Sequence, residues 1–351
     1  MRRSAAVAVG PAAQGAERRL MNSHERVLAA CEGAPVDYVP ASFWGHDYRA
    51  EQTPEGLADA TVRFQRTYGW DLVKINPRAQ YHVEDWGVRY RYPEPEGSKC
   101  ERTDYPIHGP DDYARIRRLD PRKAPVLAGH LQVVERVARE LPEVPVVMTV
   151  FNPLSVLKYA ADSEQAVVGH LRSHPAQVRA ALDAVRDTFR DFAAEAVRRG
   201  AAGIFYATTA FATHDRWTPE EYMQWSREDD LAVLGAVAGA PFNVLHVCRA
   251  RNFVERFRDY PVAAWSWATT EPGNPPLGFT PWLGGAAVGG ISQETALQQA
   301  GPEAALAEYA AALQATRGRR FLLGPGCSIP PETPAGNLRA LREVSRQRPP
   351  V

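Results

Sequence analysis

Cysteine is scarce in this chain: four among 351 residues, at positions 31, 100, 248 and 327. No C-x-x-C pair occurs, so neither a disulfide scaffold nor a knuckled structural zinc site is offered. Net charge is missing too, because 41 basic residues meet 41 acidic ones. That balance argues against nucleic acid or an anionic membrane as partner. No run of about 18 apolar residues occurs, which argues against a membrane-spanning helix. Arg2 and Arg3 lead into a short Ala/Val stretch, too small for the apolar core of a secretory signal. A reducing cytoplasm is the expected setting, where cysteines are more often ligands or core residues than disulfides.

What is present is globular composition, 45% hydrophobic and 23% charged, with 29 prolines and 26 glycines to make many loops. Residues 1–21 are rich in Ala, Gly and Arg without a sustained period and read as a disordered tail, with Met1 and Met21 both open as the start. From residue 22 to 351 one domain is expected. Short apolar runs at 37–43, 71–75, 144–150, 202–206, 242–248, 262–267, 286–291 and 320–323 read as strands. Amphipathic segments fall between them: 22–31 (with Ser23 as cap), 54–68, 127–141, 162–172, 175–199, 218–237, 250–258, 302–316 and 334–345. Thr218-Pro219-Glu220-Glu221 opens its helix with a Thr cap, Pro in first position and Glu in third.

Eight strands alternating with helices predict an α/β fold, a (β/α)8 TIM-type barrel. The strands are continuous apolar runs, as expected where both sheet faces are covered. Residues 81–121, aromatic and proline-rich, read as an insertion after strand 2. Within it Trp86–Tyr92 alternates like one strand of a hairpin.

The chemistry concentrates in two stretches, Phe242–Cys248 and Phe321–Cys327. Residues i and i+2 of a strand share a face, so Val244, His246 and Cys248 point one way. If that way is inward, the ligand types sit at the C-terminal rim, where such barrels carry their chemistry. Cys327 follows Gly324-Pro325-Gly326 past the eighth strand and can approach the same rim. Two thiolates and an imidazole suit Zn2+, and three protein ligands leave one position open, as in catalytic sites. Buried thiols without metal remain the other reading of the same residues. Glu271 stands near the rim as a fourth ligand or base, or as a plain loop carboxylate. Asn76, Phe151, Tyr206 and Trp267 are expected to line the pocket. Cys31 and Cys100 read as structural, and His46, His82, His130 and His214 as surface or hydrogen-bonding residues.

Across residues 22–346 the chain resembles the uroporphyrinogen decarboxylase superfamily. The resemblance lies in Gly69–Lys74, in Arg199-Gly200-Ala201 and above all in the stretch Leu323–Leu338. It implies a distorted (β/α)8 barrel. Decarboxylases of the superfamily carry arginines after strand one, an aspartate after strand two and a late Gly-His-Gly. Here those places hold Phe43–Tyr48 with no arginine, Asn76-Pro77-Arg78, and Gly324-Pro325-Gly326. His246, Cys248 and Cys327 instead resemble the ligand set of the zinc-dependent corrinoid:thiol methyltransferases, such as the methylcobamide:coenzyme M enzymes. That branch implies a methylcorrinoid co-substrate, carried on a partner corrinoid protein, and a small-molecule thiol as acceptor. A metal-independent decarboxylase or lyase and a non-catalytic binding barrel are the rival readings.

Overall fold

The computed structural model describes residues 20–94, 97–279 and 282–347. Most of the expected tail, residues 1–19, lies outside them. The chain runs α1 (Ser23–Glu32), α2 (Pro54–Tyr68), β1 (Val73–Ile75), α3 (Tyr81–Glu84), β2 (Arg89–Arg91), β3 (Glu101–Asp104) and α4 (Pro125–Glu140). It continues with β4 (Val146–Phe151), α5 (Pro153–Ala160), α6 (Glu164–Ser173), α7 (Pro175–Arg198), β5 (Gly203–Thr208) and α8 (Pro219–Gly235). Then come β6 (Val244–Val247), β7 (Ala264–Ser266), β8 (Ala286–Ile291), α9 (Glu303–Thr316), β9 (Phe321–Pro325) and α10 (Ala335–Ser345).

Seven parallel strands form one sheet in the order β1-β4-β5-β6-β7-β8-β9. The expected first strand, 37–43, is not a regular strand. Residues 40–42 nevertheless close the barrel between β9 and β1. Ser42 N–H donates to the Leu323 carbonyl (2.9 Å), Leu323 N–H to Pro40 (2.8 Å), and Asp71 N–H to Ala41 (2.8 Å). Pro40 has no N–H to give, and Ala41 N–H is taken by the Asp71 carboxylate at 3.0 Å. Regular pairing is lost there for that reason. The result is the expected α/β TIM-type barrel, with an irregular eighth stave.

Three local expectations are corrected. The first helix is capped by Asn22, not Ser23, in a capping box with Glu25. The segment 250–258 forms only a 3₁₀ turn at Val254–Phe257. Arg249 and Arg251 sit at positive φ there, and the Asn252 side chain takes the Val254 N–H. Finally, α5 follows β4 where no helix was expected, with Asn152 as N-cap and Pro153 in first position. The Asn152 side-chain Oδ1 accepts from Ser155 N–H at 3.0 Å.

Side chains on the strands divide into two layers. Trp44, Leu72, Val147, Phe205, Val244, Ala264, Ala286, Val288 and Leu322 fill the barrel, with Val27, Ala30 and Cys31 of α1 packed among them. The alternate residues meet the helices in a larger outer core. Each large side chain so buried contributes about 1.5–3 kcal/mol. The insertion after β1 holds α3, the β2–β3 antiparallel hairpin and a 3₁₀ turn at Pro110–Arg115.

Tyr206 belongs to the outer layer. Its hydroxyl donates to Asp230 (2.7 Å), which also accepts from Ser226 (2.9 Å) and Tyr260 (3.0 Å). Burial pushes the Asp230 carboxyl up to about 6, against the three hydroxyl donors. The folded state therefore keeps a proton that the unfolded chain has already lost. Its stabilising contribution is full below the unfolded pKa and is lost as pH rises through about 6. The unfolding free energy of wild type relative to Asp230→Asn should accordingly fall by about 2–3 kcal/mol between pH 4 and 6, then level off. Urea denaturation of both proteins across that range checks it. A flat difference would contradict the burial account.

Candidate active site

The site is built where β6 and β9 end. His246 lies on the inner face of β6, its ring stacked on Phe205 with centroids 5.3 Å apart. Its Nδ1 meets Ser266 Oγ at 3.1 Å, from β7 next door. That contact fixes the ring and leaves Nε2 as the nitrogen available to a ligand. Cys248 N–H donates to the Thr208 carbonyl (3.0 Å), so strand pairing carries one residue past β6 and keeps Cys248 on the side of His246.

Cys327 arrives from β9 by a close approach. A Cβ at Gly326 would stand 2.7 Å from both Cα and Cβ of Ala268, so only glycine passes this point without displacement. Gly326 N–H donates to Ile291, and Cys327 N–H to the Gln293 side-chain oxygen at 3.1 Å. The two sulfurs, Cys248 Sγ and Cys327 Sγ, come to 4.0 Å. A ring nitrogen of His246 and both sulfurs all lie within 4.8 Å of one another. Those donors, in type and proximity, fit a Zn2+ ion held by three protein ligands.

The thiols are not equivalent. The contact with Cys248 holds Cys327 well below the ordinary thiol value, against the opposing effect of burial; His246 and the Ser328 N–H assist. Cys248 is pushed up by that same contact, by burial and by the charge on Cys327. By contrast burial pushes Cys31 up to about 12 and Cys100 up to about 11, as for inert structural thiols.

The other expected pocket residues separate. Phe151 stands half-buried at the end of β4, in contact with both layers. Asn76 is buried beyond β1, where its Oδ1 accepts from Lys74 Nζ (2.5 Å) and Ser328 Oγ (3.3 Å). Tyr206 and Trp267 do not line the mouth. Strand alternation turns both into the outer core, Tyr206 onto Asp230 and Trp267 Nε1 onto the Pro275 carbonyl at 2.7 Å. Glu271 is exposed after β7, and its carboxylate is not part of the His/Cys/Cys group. His82 is no surface residue: it is buried, packed on Phe151 (centroids 4.1 Å) and edge-on to Tyr159 (4.9 Å). Burial lowers it to about 3, so its ring is neutral.

Sequence reading passed over Ser266 and Gln293, which carry no signal of their own. Lys74 did carry one. It is a charge within the apolar run Leu72-Val73-Lys74-Ile75. Its Nζ lies 4.7 Å from the Phe205 ring centroid and 5.4 Å from that of Trp44, inside the barrel. Burial pushes it down to about 7, the Cys327 charge acting against that. A cavity of about 580 Å³ reaches Lys74 and Asn76 between the closing segment, α2 and residues 329–338.

A closed α/β barrel with its reactive side chains beyond the C-terminal ends of the strands defines the class of architecture. A sequence model described as "Uroporphyrinogen decarboxylase (URO-D)" matches residues 22–348, and the chain belongs to that family. A curated relative, the uroporphyrinogen decarboxylase of Roseiflexus sp. (strain RS-1), is 28% identical over 157 residues. That match spans 40% of this chain and 44% of the relative. Among solved structures, a methyltransferase from Methanosarcina mazei superposes with a TM-score of 0.74 at 20% identity, over 93% of this chain and 98% of that one. A B12-independent methionine synthase from Shewanella sp. W3-18-1 gives 0.55 at 12% identity, covering 89% and 95%. These structural likenesses speak to the fold. Among the described residues no helix is long and apolar enough to cross a membrane.

Proposed function

We propose that this chain transfers a methyl group between a methylated corrinoid carrier and a small thiol, with Zn2+ held by His246, Cys248 and Cys327. The observation that carries the reading is the convergence of one imidazole nitrogen and two sulfurs within 4.8 Å. The names of the similar structures, a methyltransferase and a methionine synthase, support methyl transfer, although the second is named as B12-independent and so does not point to the corrinoid. The family's own description favours a decarboxylase. Against that, the chain has no arginine between Phe43 and Tyr48 to hold substrate carboxylates.

Zinc, when bound, supplies the positive charge that lets a thiol ionise near neutral pH. The chain's residues do the rest. Ser266 orients the His246 ring, Gln293 anchors the backbone of Cys327, and Phe205 walls the imidazole from below. Cys248 and Cys327 would hold the ion as thiolates, so both would have to be deprotonated in the loaded site. Phe151 borders the mouth above them. In the overall reaction the methyl carbon leaves cobalt, the bond pair stays with the metal of the corrinoid, and a carbon–sulfur bond forms. Purified under reducing conditions, the protein should contain about one zinc per chain and convert methylcobalamin plus a thiol to the thioether. No zinc, before or after reconstitution, would remove this reading and leave the decarboxylase or binding-barrel alternatives.

A further inference from the structure

We infer that Lys74 and Asn76 form an anion subsite inside the barrel, and that the molecule bound beside the cysteines carries a carboxylate. The inference rests on the thiol-binding reading for its location, but its residues make a case of their own. Lys74 is 7% exposed, and among the described residues no carboxylate lies within ion-pair distance of its Nζ. A buried ammonium without a counter-charge is costly, and such groups are found paired or at sites that receive a charge. Its side-chain acceptor is Asn76 Oδ1, a neutral dipole. With Oδ1 committed to Lys74 and to Ser328, the Asn76 amide points its N–H donors elsewhere. Asn76 Nδ2 is buried with no hydrogen-bond partner. An ammonium and an unused amide donor side by side call for an acceptor, and an anionic oxygen pair satisfies both.

The subsite is tied to the cysteines. Ser328, the residue after Cys327, donates to Asn76 Oδ1, and the Phe205 ring touches both Lys74 Nζ and the His246 ring. None of these contacts gives Lys74 a counter-charge, so an incoming ligand with an anionic oxygen is the group that completes it. The cavity reaching Lys74 and Asn76 gives a small acid room to do so.

The test compares three thiols of similar size on zinc- or cobalt-loaded protein: 3-mercaptopropionate, 2-mercaptoethanol and cysteamine. Binding is followed by calorimetry and, with cobalt, by the visible spectrum. The carboxylate thiol should bind about tenfold or more tighter than the neutral one, with the amine weakest. Lys74→Met should erase that preference and leave 2-mercaptoethanol binding within about twofold of wild type. Asn76→Asp, which hands Lys74 an internal carboxylate, should erase it as well. Separately, propionate should raise the Tm of metal-free wild type and not that of Lys74→Met. If the chain takes up no metal but propionate still acts through Lys74, the subsite stands and the methyl-transfer reading falls. Equal affinity for charged and neutral thiols, a preference that survives Lys74→Met, or propionate without effect on metal-free wild type would overturn the subsite.

Discussion

Replacing Cys327 by alanine should weaken zinc binding by two to three orders of magnitude and abolish thiol methylation. Structural zinc sites bind with about 10–16 kcal/mol shared among their ligands, so one thiolate is worth roughly 3–4 kcal/mol, or on the order of 10²–10³ in Kd. Cys327 is the ligand to remove, because it alone of the three comes from β9, and it lies 4.0 Å from Cys248 with its backbone anchored by Gln293. Ser266→Ala should do less, about 10–100-fold, since it loosens the ring without deleting a donor. Cys100→Ala is the control and should leave zinc binding unchanged, as that thiol lies in the insertion, outside the His/Cys/Cys group. Competition against a chromogenic chelator gives all three constants. Zinc affinity in Cys327→Ala equal to wild type would mean that the ion, if bound, sits elsewhere. Because Cys248 must lose a proton on binding, affinity should also drop as the pH is lowered.

The second large effect concerns the barrel's closure. Asp71→Ala should lower the unfolding free energy by about 3–5 kcal/mol. One carboxylate oxygen of Asp71 accepts from Arg26 Nη1 (2.8 Å) and the Tyr38 hydroxyl (3.0 Å). The other accepts from Arg342 Nη1 (2.7 Å) and the Ala41 N–H (3.0 Å). Thus α1, the irregular closing stave, the start of β1 and α10 meet on one side chain. Arg26, Arg342 and Asp71 are all nearly inaccessible. Alanine would strand the buried Arg342 guanidinium, leave Arg26 with Asp37 alone (2.6 Å), and orphan a backbone N–H at the point where 40–42 complete the barrel. The exposed pair Arg91–Glu101 (2.8 Å) gives the contrast, where Glu101→Ala should cost under about 1 kcal/mol. Equilibrium urea curves measure both. A loss below 1 kcal/mol for Asp71→Ala would show that closure does not depend on this cluster.

Much of the fold was legible because strands buried on both faces read as continuous apolar runs, and because helix caps are local. Thr218 and the long apolar stripe of α7 need no tertiary knowledge, whereas the cap of α1 was read one residue late, at Ser23 instead of Asn22. The closing stave was legible as apolar but not as irregular, since its lost pairing comes from a carboxylate that the chain supplies 30 residues later. Phe151 and Asn76, chosen by position at strand ends, keep the parity of Val147 and Leu72, which fill the barrel. The same logic failed for Tyr206 and Trp267, because parity along a short strand is set by register against its neighbours.

The sequence by itself determined the alternation of strands and helices, and the spacing that puts His246 and Cys248 on one side of one strand. Both are consequences of backbone periodicity and are written into a few adjacent residues. Only the tertiary structure decided that Cys327 comes within 4.0 Å of Cys248, that Ser266 holds the imidazole, and that Lys74 is buried without a carboxylate. Those facts depend on barrel closure, which joins strands far apart in the chain and fixes which face of each looks inward.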